Sequence, residues 1–292
     1  MEYEIRPLTG EEAEYIGEKL SGYVRSVAPP RPGAEEEKAV LKIEDSGAVV
    51  AGCILKFFQW GWERMLLAAL WVDERYRGQG LASMLIREAE RLGREKGCYV
   101  SCLGTLVFQA RPLYEKHGYT VFTVNKDFPR GHEGYSLSKR LDRDIPDYIP
   151  KNNAASRFTI RPGSEEDAKV ISAGLGRYTD SFAPDLHEEI PICRKLVDRD
   201  GKLVAGIIAG IGCWDEFDVD VLWVEEPYRG RGLGSYLLGE AEREAVEKGA
   251  YKLYVTVGDW NAGFFKKNGY AVNGELEDVP RGHSCYEMEK PV

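Results

Sequence analysis

The 292-residue sequence lacks the features of several protein classes. It has no apolar run long enough to span a bilayer, and its first residues, Met1-Glu2-Tyr3-Glu4, do not resemble a signal peptide. Its six cysteines form no Cys-x-x-Cys pair and have no nearby histidine at zinc-binding spacing. We therefore expect a cytoplasmic protein with reduced, mostly packed thiols, no metal and no membrane partner.

The chain also has fewer basic than acidic residues. The chain has 39 lysines and arginines against 48 aspartates and glutamates, which gives a formal net charge of −9. Such a balance argues against a nucleic-acid partner and suits cationic small molecules such as amines. The hydrophobic fraction of 43% and the charged fraction of 30% are those of a globular protein long enough for two domains. The oligomeric state is not predictable from these numbers.

Most of the sequence occurs twice, with a period of about 150 residues. Arg6-Pro7 recurs as Arg161-Pro162, and Gly118-Tyr119 recurs as Gly269-Tyr270. Repeats that stack in solenoids are only about 20–50 residues long, so this unit is a whole domain. We predict an N-terminal domain over residues 1–141, a linker over 142–156 and a C-terminal domain over 157–292.

Each copy shows the same order of predicted elements. A short strand leads to a helix that opens at Thr9 or Ser164, residues suited to N-capping. Three strands, a second helix, a fifth strand, a short helix and a closing hairpin follow. This order predicts an α+β fold in which a mixed, mostly antiparallel sheet is flanked by helices.

A glycine-rich turn between a strand and a helix marks both copies. In the first copy, the strand end Leu70-Trp71-Val72 precedes Arg77-Gly78-Gln79-Gly80 and a helix that begins with Leu81-Ala82-Ser83. Unpaired N–H groups at such a helix start attract phosphate. No lysine follows as in a Walker loop, and Ser83 and Ser235 stand where a dinucleotide fingerprint needs its third glycine. The simpler alternative is that the glycines only allow a tight turn.

The pattern Arg-x-x-Gly-x-Gly/Ala after a Leu-Trp-Val strand resembles the pyrophosphate-binding motif of the GNAT superfamily of acyl-CoA N-acyltransferases. The resemblance covers both halves almost end to end and implies two tandem GNAT-like domains that use acetyl-CoA. It also implies that the fourth and fifth strands separate, with pantetheine in the gap near Val72 or Val224. The residues it assigns to CoA are Leu70, Trp71, Val72, Arg77, Gly78, Gln79, Gly80, Leu81, Ala82 and Ser83, and in the second copy Leu222, Trp223, Val224, Arg229, Gly230, Arg231, Gly232, Leu233, Gly234 and Ser235.

The resemblance also implies a general acid for the departing thiolate, a tyrosine four residues before a Gly-Tyr pair. Tyr114 matches this position, and the alternative is a packed aromatic residue beside Leu113. The second copy has Phe265 at that place and Trp260 in place of Gln109. Since phenylalanine cannot donate a proton, the second half has either lost turnover or uses water or another group.

A carboxylate on the fourth strand acts as a general base in many members of this family. The second copy offers Asp218 and Asp220 there, where the first copy has Leu66 and Ala68. Their alternation also fits the solvated side of a strand. Weaker candidates are Glu63, beside Trp60 and Trp62, for holding a cationic amine, and His132 or His283 in the repeated Pro-Arg-Gly-His turn, for which a structural role is more economical.

The sequence therefore predicts an N-acetyltransferase that acts on a primary amine of a small molecule or peptide, with Tyr114 as general acid. One alternative is an acyl-CoA-binding or regulatory protein without turnover, and another is an enzyme whose active site lies in the C-terminal half. The acceptor is not named by the sequence. In this family the acceptor pocket is built largely from the least repetitive stretches, here residues 22–37 and 178–191.

Overall fold

The computed structural model describes residues 3–33, 35–58, 62–143, 145–146, 148–150 and 157–292. Trp60 and most of the predicted linker 142–156 lie outside the described residues. In chain order the elements are β1 (Glu4–Pro7), α1 (Gly10–Val27), β2 (Glu37–Asp45), β3 (Ala48–Phe57), β4 (Arg64–Val72), α2 (Leu81–Glu95), β5 (Val100–Leu106), α3 (Arg111–Lys116), β6 (Thr120–Lys126), β7 (Glu133–Arg140), β8 (Ile160–Pro162), α4 (Glu165–Asp180), β9 (Ile190–Val197), β10 (Leu203–Ile211), β11 (Glu216–Val224), α5 (Leu233–Glu247), β12 (Lys252–Gly258), α6 (Asp259–Lys267), β13 (Ala271–Glu277) and β14 (Ser284–Pro291).

The chain forms two compact units, which we call the first unit (residues 30–184) and the second unit (residues 1–29 with 185–292). Each contains one mixed seven-stranded sheet flanked by helices, so the predicted α+β class is confirmed. The strand order is β6-β7-β5-β4-β3-β2-β8 in the first unit and β1-β9-β10-β11-β12-β14-β13 in the second. In each sheet one pair is parallel, β4 with β5 and β11 with β12, and the other pairs are antiparallel.

The compact units do not follow the sequence repeats, because the repeats exchange their first strand and helix. β1 pairs with β9 of the second repeat, and β8 pairs with β2 of the first repeat. Helix α4 packs on β3 and β4, and helix α1 packs on β10 and β11. The boundaries 1–141 and 157–292 therefore describe the repeats, whereas the folded units are 30–184 and 1–29 with 185–292.

Both exchanged helices begin and pack in the same way. Each opens with a capping box, Thr9 with Glu12 in α1 and Ser164 with Asp167 in α4, as the predicted N-caps suggested. Each then places a buried isoleucine over a strand glycine. A Cβ at Gly52 would lie 2.4 Å from Ile171 Cδ1, and a Cβ at Gly206 would lie 2.8 Å from Ile16 Cδ1.

The close approach of α4 to the sheet makes a stability prediction. A Cβ at Gly174 would lie 2.3 Å from Trp71 Cε2, whereas a Cβ at Gly176 would meet no atom within 4 Å. We expect Gly174→Ala to lower the unfolding free energy by about 1–3 kcal/mol through overpacking. Gly176→Ala, the matched control in the same helix, should raise it by about 0.5–1 kcal/mol because alanine favours helix. Denaturant titration of both variants checks this; equal effects would contradict the close packing of α4 on Trp71.

Candidate active site

The sheet of the first unit opens between its two parallel strands. Pairing of β4 with β5 joins Arg64 to Val100, Met65 to Ser101 and Leu66 to Cys102. Among the described residues, no later pair joins the two strands, although β4 continues to Val72 and β5 to Leu106. The β3–β4 register shifts between Ile54 and Leu55, so Ala68 forms a bulge that bends β4 at this point. This is the strand separation that the resemblance predicts.

The second unit repeats this geometry with a different side chain at the bulge. Pairing of β11 with β12 ends at Asp218 and Tyr254 in the described chain. The β10–β11 register shifts so that Ile208 faces Val221 and Ala209 faces Val219. Asp220 is therefore the bulged residue, at the place that Ala68 holds in the first unit.

Glycines in left-handed conformation begin the helix beside each opening. Gly78 and Gly80 have φ of 72° and 89°, and Gly230 and Gly232 have φ of 75° and 78°. Gly80 and Gly232 are the N-caps of α2 and α5, and neither helix has a side-chain cap. The first N–H groups of such a helix have no partner within it. A Cβ at any of the four glycines would meet no atom of the described residues within 4 Å, so this part of the structure leaves the space above each turn open. An anion such as a diphosphate fits there.

The motif arginines have a structural role that sequence reasoning missed. Arg77 Nε donates to the Val72 carbonyl oxygen at 3.2 Å, and Arg229 Nε donates to the Val224 carbonyl oxygen at 3.0 Å. Each arginine therefore ties the turn to the end of the preceding strand. Its guanidinium also lies over an aromatic ring, that of Tyr178 at 4.7 Å for Arg77 and that of Trp223 at 4.6 Å for Arg229.

The other residues of the predicted motif differ in exposure. Leu81 and Leu233 are buried in the two cores, and Ala82 is half-buried. Gln79 and Arg231 are engaged at the turn surface, where Arg157 Nη2 donates to Gln79 Oε1 at 2.7 Å and Arg231 Nη2 donates to the Pro227 carbonyl oxygen at 3.0 Å. At the strand ends, four residues are half-buried: Leu70, Trp71, Leu222 and Trp223. At the start of α5, Gly234 is buried and Ser235 is exposed.

A cavity of about 460 Å³ lies in the first unit at the strand separation. The strand end Leu67–Val72 and the glycine turn form one wall, and Gln109, Leu113 and Tyr114 form another. Leu175 and Tyr178 of the exchanged helix α4 also line it, as do Tyr148 and Pro150 from the segment between the repeats. The cavity thus contains both predicted groups, the glycine turn and Tyr114. Its lining comes from the first repeat, the segment between the repeats and helix α4.

Tyr114 is buried on α3, with its ring edge-on to Tyr119 at 6.0 Å. Burial raises the pKa of Tyr114 above the ordinary phenol value of about 10, so the hydroxyl keeps its proton at any working pH. In the second unit Phe265 is buried in the equivalent place against Tyr270 at 5.5 Å. The two units therefore differ by one hydroxyl at this position.

Helix α4 fixes the loop that precedes Tyr114. Gln109 Oε1 accepts from the Leu106 N–H at 2.9 Å, while Gln109 Nε2 donates to Thr179 Oγ1 at 3.1 Å. The Tyr178 hydroxyl donates to the Phe108 carbonyl oxygen at 2.8 Å. Tyr178 falls in the divergent stretch 178–191, where an acceptor pocket was expected, but the sequence does not show that it joins the site of the first repeat.

The carboxylates of the second unit sit where its strands separate. Asp218 and Asp220 both reach solvent, yet enough protein surrounds them to disfavour charge. The pKa of Asp218 is raised to about 7, mainly because burial disfavours the charged carboxylate and secondly because Asp220 repels it. The pKa of Asp220 is also raised, mainly by burial and secondly by the repulsion of Glu189. A carboxylate with a pKa near 7 can exchange protons at neutral pH, as a general base must.

This raised pKa predicts how stability changes with pH. The folded state holds the Asp218 proton up to about pH 7, whereas the unfolded chain releases it near pH 3.9. Stability should therefore fall as the pH rises between these values. We expect Asp218→Asn to raise the melting temperature more at about pH 8 than at about pH 4. An equal effect at both pH values would show that the Asp218 pKa is not raised.

The remaining candidates have structural partners. Glu63 forms an ion pair with Arg31 at 3.7 Å, and the His132 ring packs edge-on to Phe108 at 5.1 Å. His283 Nδ1 lies 3.1 Å from Asp259 Oδ1. His117, which no motif singled out, is buried with its Nε2 atom 2.9 Å from Oγ of Ser83 in the first turn of α2. No helix within the described ranges is long and apolar enough to cross a membrane.

Comparison with known proteins identifies this arrangement. The model of the acetyltransferase (GNAT) family matches residues 11–119 and 165–270. A blasticidin-S acetyltransferase from Streptomyces morookaense is 40% identical over 93 residues, 32% of this chain and 67% of that protein. Acetyltransferase Atu2258 from Agrobacterium fabrum is 33% identical over 89 residues, 30% of this chain and 63% of that protein. A crystal structure of a Bacillus cereus acetyltransferase is 32% identical and covers 47% of this chain and 96% of its own, with a TM-score of 0.43. Because the family model matches twice and spans most of the sequence, the chain belongs to the acetyltransferase (GNAT) family.

Proposed function

We propose that this acetyltransferase moves an acetyl group from acetyl-CoA to a primary amine of a small molecule or peptide, in the cavity of the first unit. Members of the family use acetyl-CoA, so the reaction class follows from membership. One observation carries the choice of unit. The glycine turn and Tyr114 line a single cavity at the separation of β4 and β5.

In this proposal each wall of the cavity has one task. The open turn at Gly78 and Gly80, with the first N–H groups of α2, holds the diphosphate of CoA. Arg77 adds positive charge at the same turn. The gap between β4 and β5 then takes the pantetheine, which brings the thioester to Tyr114.

Tyr114 acts on the leaving group. A neutral amine attacks the thioester carbonyl, the new C–N bond forms, the C–S bond breaks, and the thiolate takes the Tyr114 proton. The amine releases its own proton to water, and the Tyr114 phenolate regains a proton from water before the next turnover. Burial makes Tyr114 a weaker acid, but a thiolate that forms beside this buried hydroxyl is desolvated too and becomes a stronger base for the same reason. The buried Cys53, whose thiol pKa burial raises, shows the effect for a thiol in this core.

The acceptor is an amine of low molecular weight or a short peptide. The net negative charge of the chain favours cationic acceptors. Resemblance to a protein named as a blasticidin-S acetyltransferase makes antibiotics the first class to test.

A specific observation favours a second candidate, in which the second unit is the active one. Asp218, with a pKa of about 7, stands at the separation of β11 and β12 and could accept the amine proton. Water would then have to protonate the thiolate, because Phe265 has no hydroxyl.

Thiol release from acetyl-CoA tests the proposal. The full-length protein is assayed against polyamines, amino acids, aminoglycosides, peptides and blasticidin S, with CoA binding followed in parallel by calorimetry. Release that depends on one amine class, and that Asp218→Asn leaves intact, supports the first unit. Release that Asp218→Asn abolishes supports the second unit. CoA binding without release for any amine would instead make the protein an acyl-CoA-binding module.

A further inference from the structure

We propose that Tyr148 and Lys116 form a binding site for the adenosine 3′-phosphate end of CoA. Tyr148 belongs to the segment between the two repeats, outside both stretches that the family model matches. It nevertheless lines the same cavity as the glycine turn, together with Pro150 and Lys116. The inference rests on the proposed CoA site in the first unit and adds the residues that recognise the nucleotide.

Three contacts hold Tyr148 against the helices of the first unit. Arg87 Nη1 of α2 donates to the Tyr148 carbonyl oxygen at 3.0 Å. The Tyr148 ring meets the His117 ring edge-on at 5.3 Å, and Lys116 Nζ lies 5.9 Å from the Tyr148 ring centre. Because His117 is buried and hydrogen-bonded to Ser83, it is a fixed support for this ring.

These contacts place Tyr148 at one end of the cavity. It touches the second turn of α2 and the residues that end α3. Beside the start of α3, Gln109 bonds Thr179 and Tyr178 bonds the Phe108 carbonyl oxygen. The glycine turn, which would hold the diphosphate, lines the same cavity. In the proposed site, pantetheine extends from the diphosphate into the gap beside Tyr114. The adenosine end of CoA then lies on the opposite side of the diphosphate, along α2 toward Tyr148.

The chemistry of the two side chains suits this part of CoA. Tyr148 offers a half-buried aromatic face, and a base stacked on an aromatic side chain gains about 1–3 kcal/mol. Lys116 is exposed, and no carboxylate in the described part of the chain forms an ion pair with it. An ammonium group at this position can pair with the 3′-phosphate dianion of CoA.

Calorimetry with CoA, dephospho-CoA and pantetheine on the full-length protein tests the site without requiring turnover. Lys116→Ala should bring the affinity for CoA down to that for dephospho-CoA and leave the latter unchanged. Tyr148→Ala should weaken the binding of CoA and of dephospho-CoA by roughly 5–150-fold, the range that one stacked base accounts for, and leave pantetheine binding as it was. Lys267 stands at the corresponding place in the second repeat. Lys267→Ala is therefore the matched control, and it should not change the affinity of the first unit for CoA.

The outcomes separate this inference from the proposed function. If the wild-type protein binds no CoA, both fail. If CoA binds with unchanged affinity in Tyr148→Ala and Lys116→Ala, the nucleotide lies elsewhere and only this inference is overturned. An equal loss for pantetheine and for the two nucleotides would also overturn it, because it would show that Tyr148 supports the fold and does not bind the base.

Discussion

Replacing Tyr114 with phenylalanine is expected to lower kcat by about 10²–10⁴-fold, the usual cost of losing a positioned general acid. The change removes one hydroxyl from a buried ring that packs against Tyr119, so the core should stay intact. The Michaelis constant for acetyl-CoA should change little, because the hydroxyl acts mainly on the departing thiolate in the transition state. Steady-state thiol release with a fixed amine measures both constants.

Tyr119→Phe is the matched control for this variant. Tyr119 is buried in the same aromatic pair, but its hydroxyl bonds Ser101 at 2.8 Å and does not line the cavity. Its loss should cost about 1 kcal/mol of stability and leave kcat near the wild-type value. Phe265→Tyr added to Tyr114→Phe should not restore full activity, since Trp260 replaces Gln109 in the second repeat. If Tyr114→Phe keeps most of kcat while Asp218→Asn loses it, the two units have the opposite roles.

The second large effect is expected on the folding and CoA binding of fragments. One fragment follows a compact unit and the other follows a sequence repeat. A fragment of residues 30–184 contains the whole first unit, including β8, α4 and the cavity. A fragment of residues 1–141 follows the sequence repeat but lacks β8 and α4, which complete the first unit. Without α4, the side chains of Val40, Ile54 and Ala69 lose the buried Ala168 and Ile171 that cover them, and β2 becomes an exposed edge strand.

We therefore expect fragment 30–184 to unfold cooperatively and to bind CoA, and fragment 1–141 to do neither. Thermal unfolding by circular dichroism and calorimetry with CoA measure both properties. Mixing 1–141 with 142–292 during refolding should recover binding, because the second fragment supplies β8 and α4. A well-folded 1–141 fragment that binds CoA would contradict the exchanged arrangement.

Local sequence signals predicted most of the elements of each unit. The apolar runs of β3 and β4, the caps Thr9 and Ser164 and the glycines before α2 and α5 are all signals carried by a few neighbouring residues. Strand β9, which begins at Ile190, is harder to predict from its local sequence. The reason is Pro191, a residue that normally argues against a strand but is tolerated here near the strand start.

The exchange of β1–α1 with β8–α4 was beyond prediction from one sequence. Ile16 and Ile171 occupy matching positions and pack on the matching glycines Gly206 and Gly52, so this pattern alone does not indicate which helix packs on which sheet. The pairing of β1 with β9 and of β8 with β2 joins strands far apart in sequence, which no local pattern encodes.

Parts of the candidate site were missed for a similar reason. The hydrogen bonds of Tyr178 with Phe108 and of His117 with Ser83 join residues far apart in sequence. The glycine turn and Tyr114 could be predicted because each belongs to a short motif. Their partners could be found only from the folded chain.

Acetyl-transfer rates of Gly80→Val and Gly232→Val test the central claim most directly, that the first unit carries out the reaction. Both glycines cap a helix at a positive φ, and within the described chain a Cβ at either would meet no atom within 4 Å, so the two variants carry matched backbone strain. A valine side chain at either turn would fill the space that a diphosphate needs. We predict that kcat/KM for acetyl-CoA is lost in Gly80→Val and kept in Gly232→Val, at comparable melting temperatures. Loss in Gly232→Val with activity kept in Gly80→Val would contradict the account.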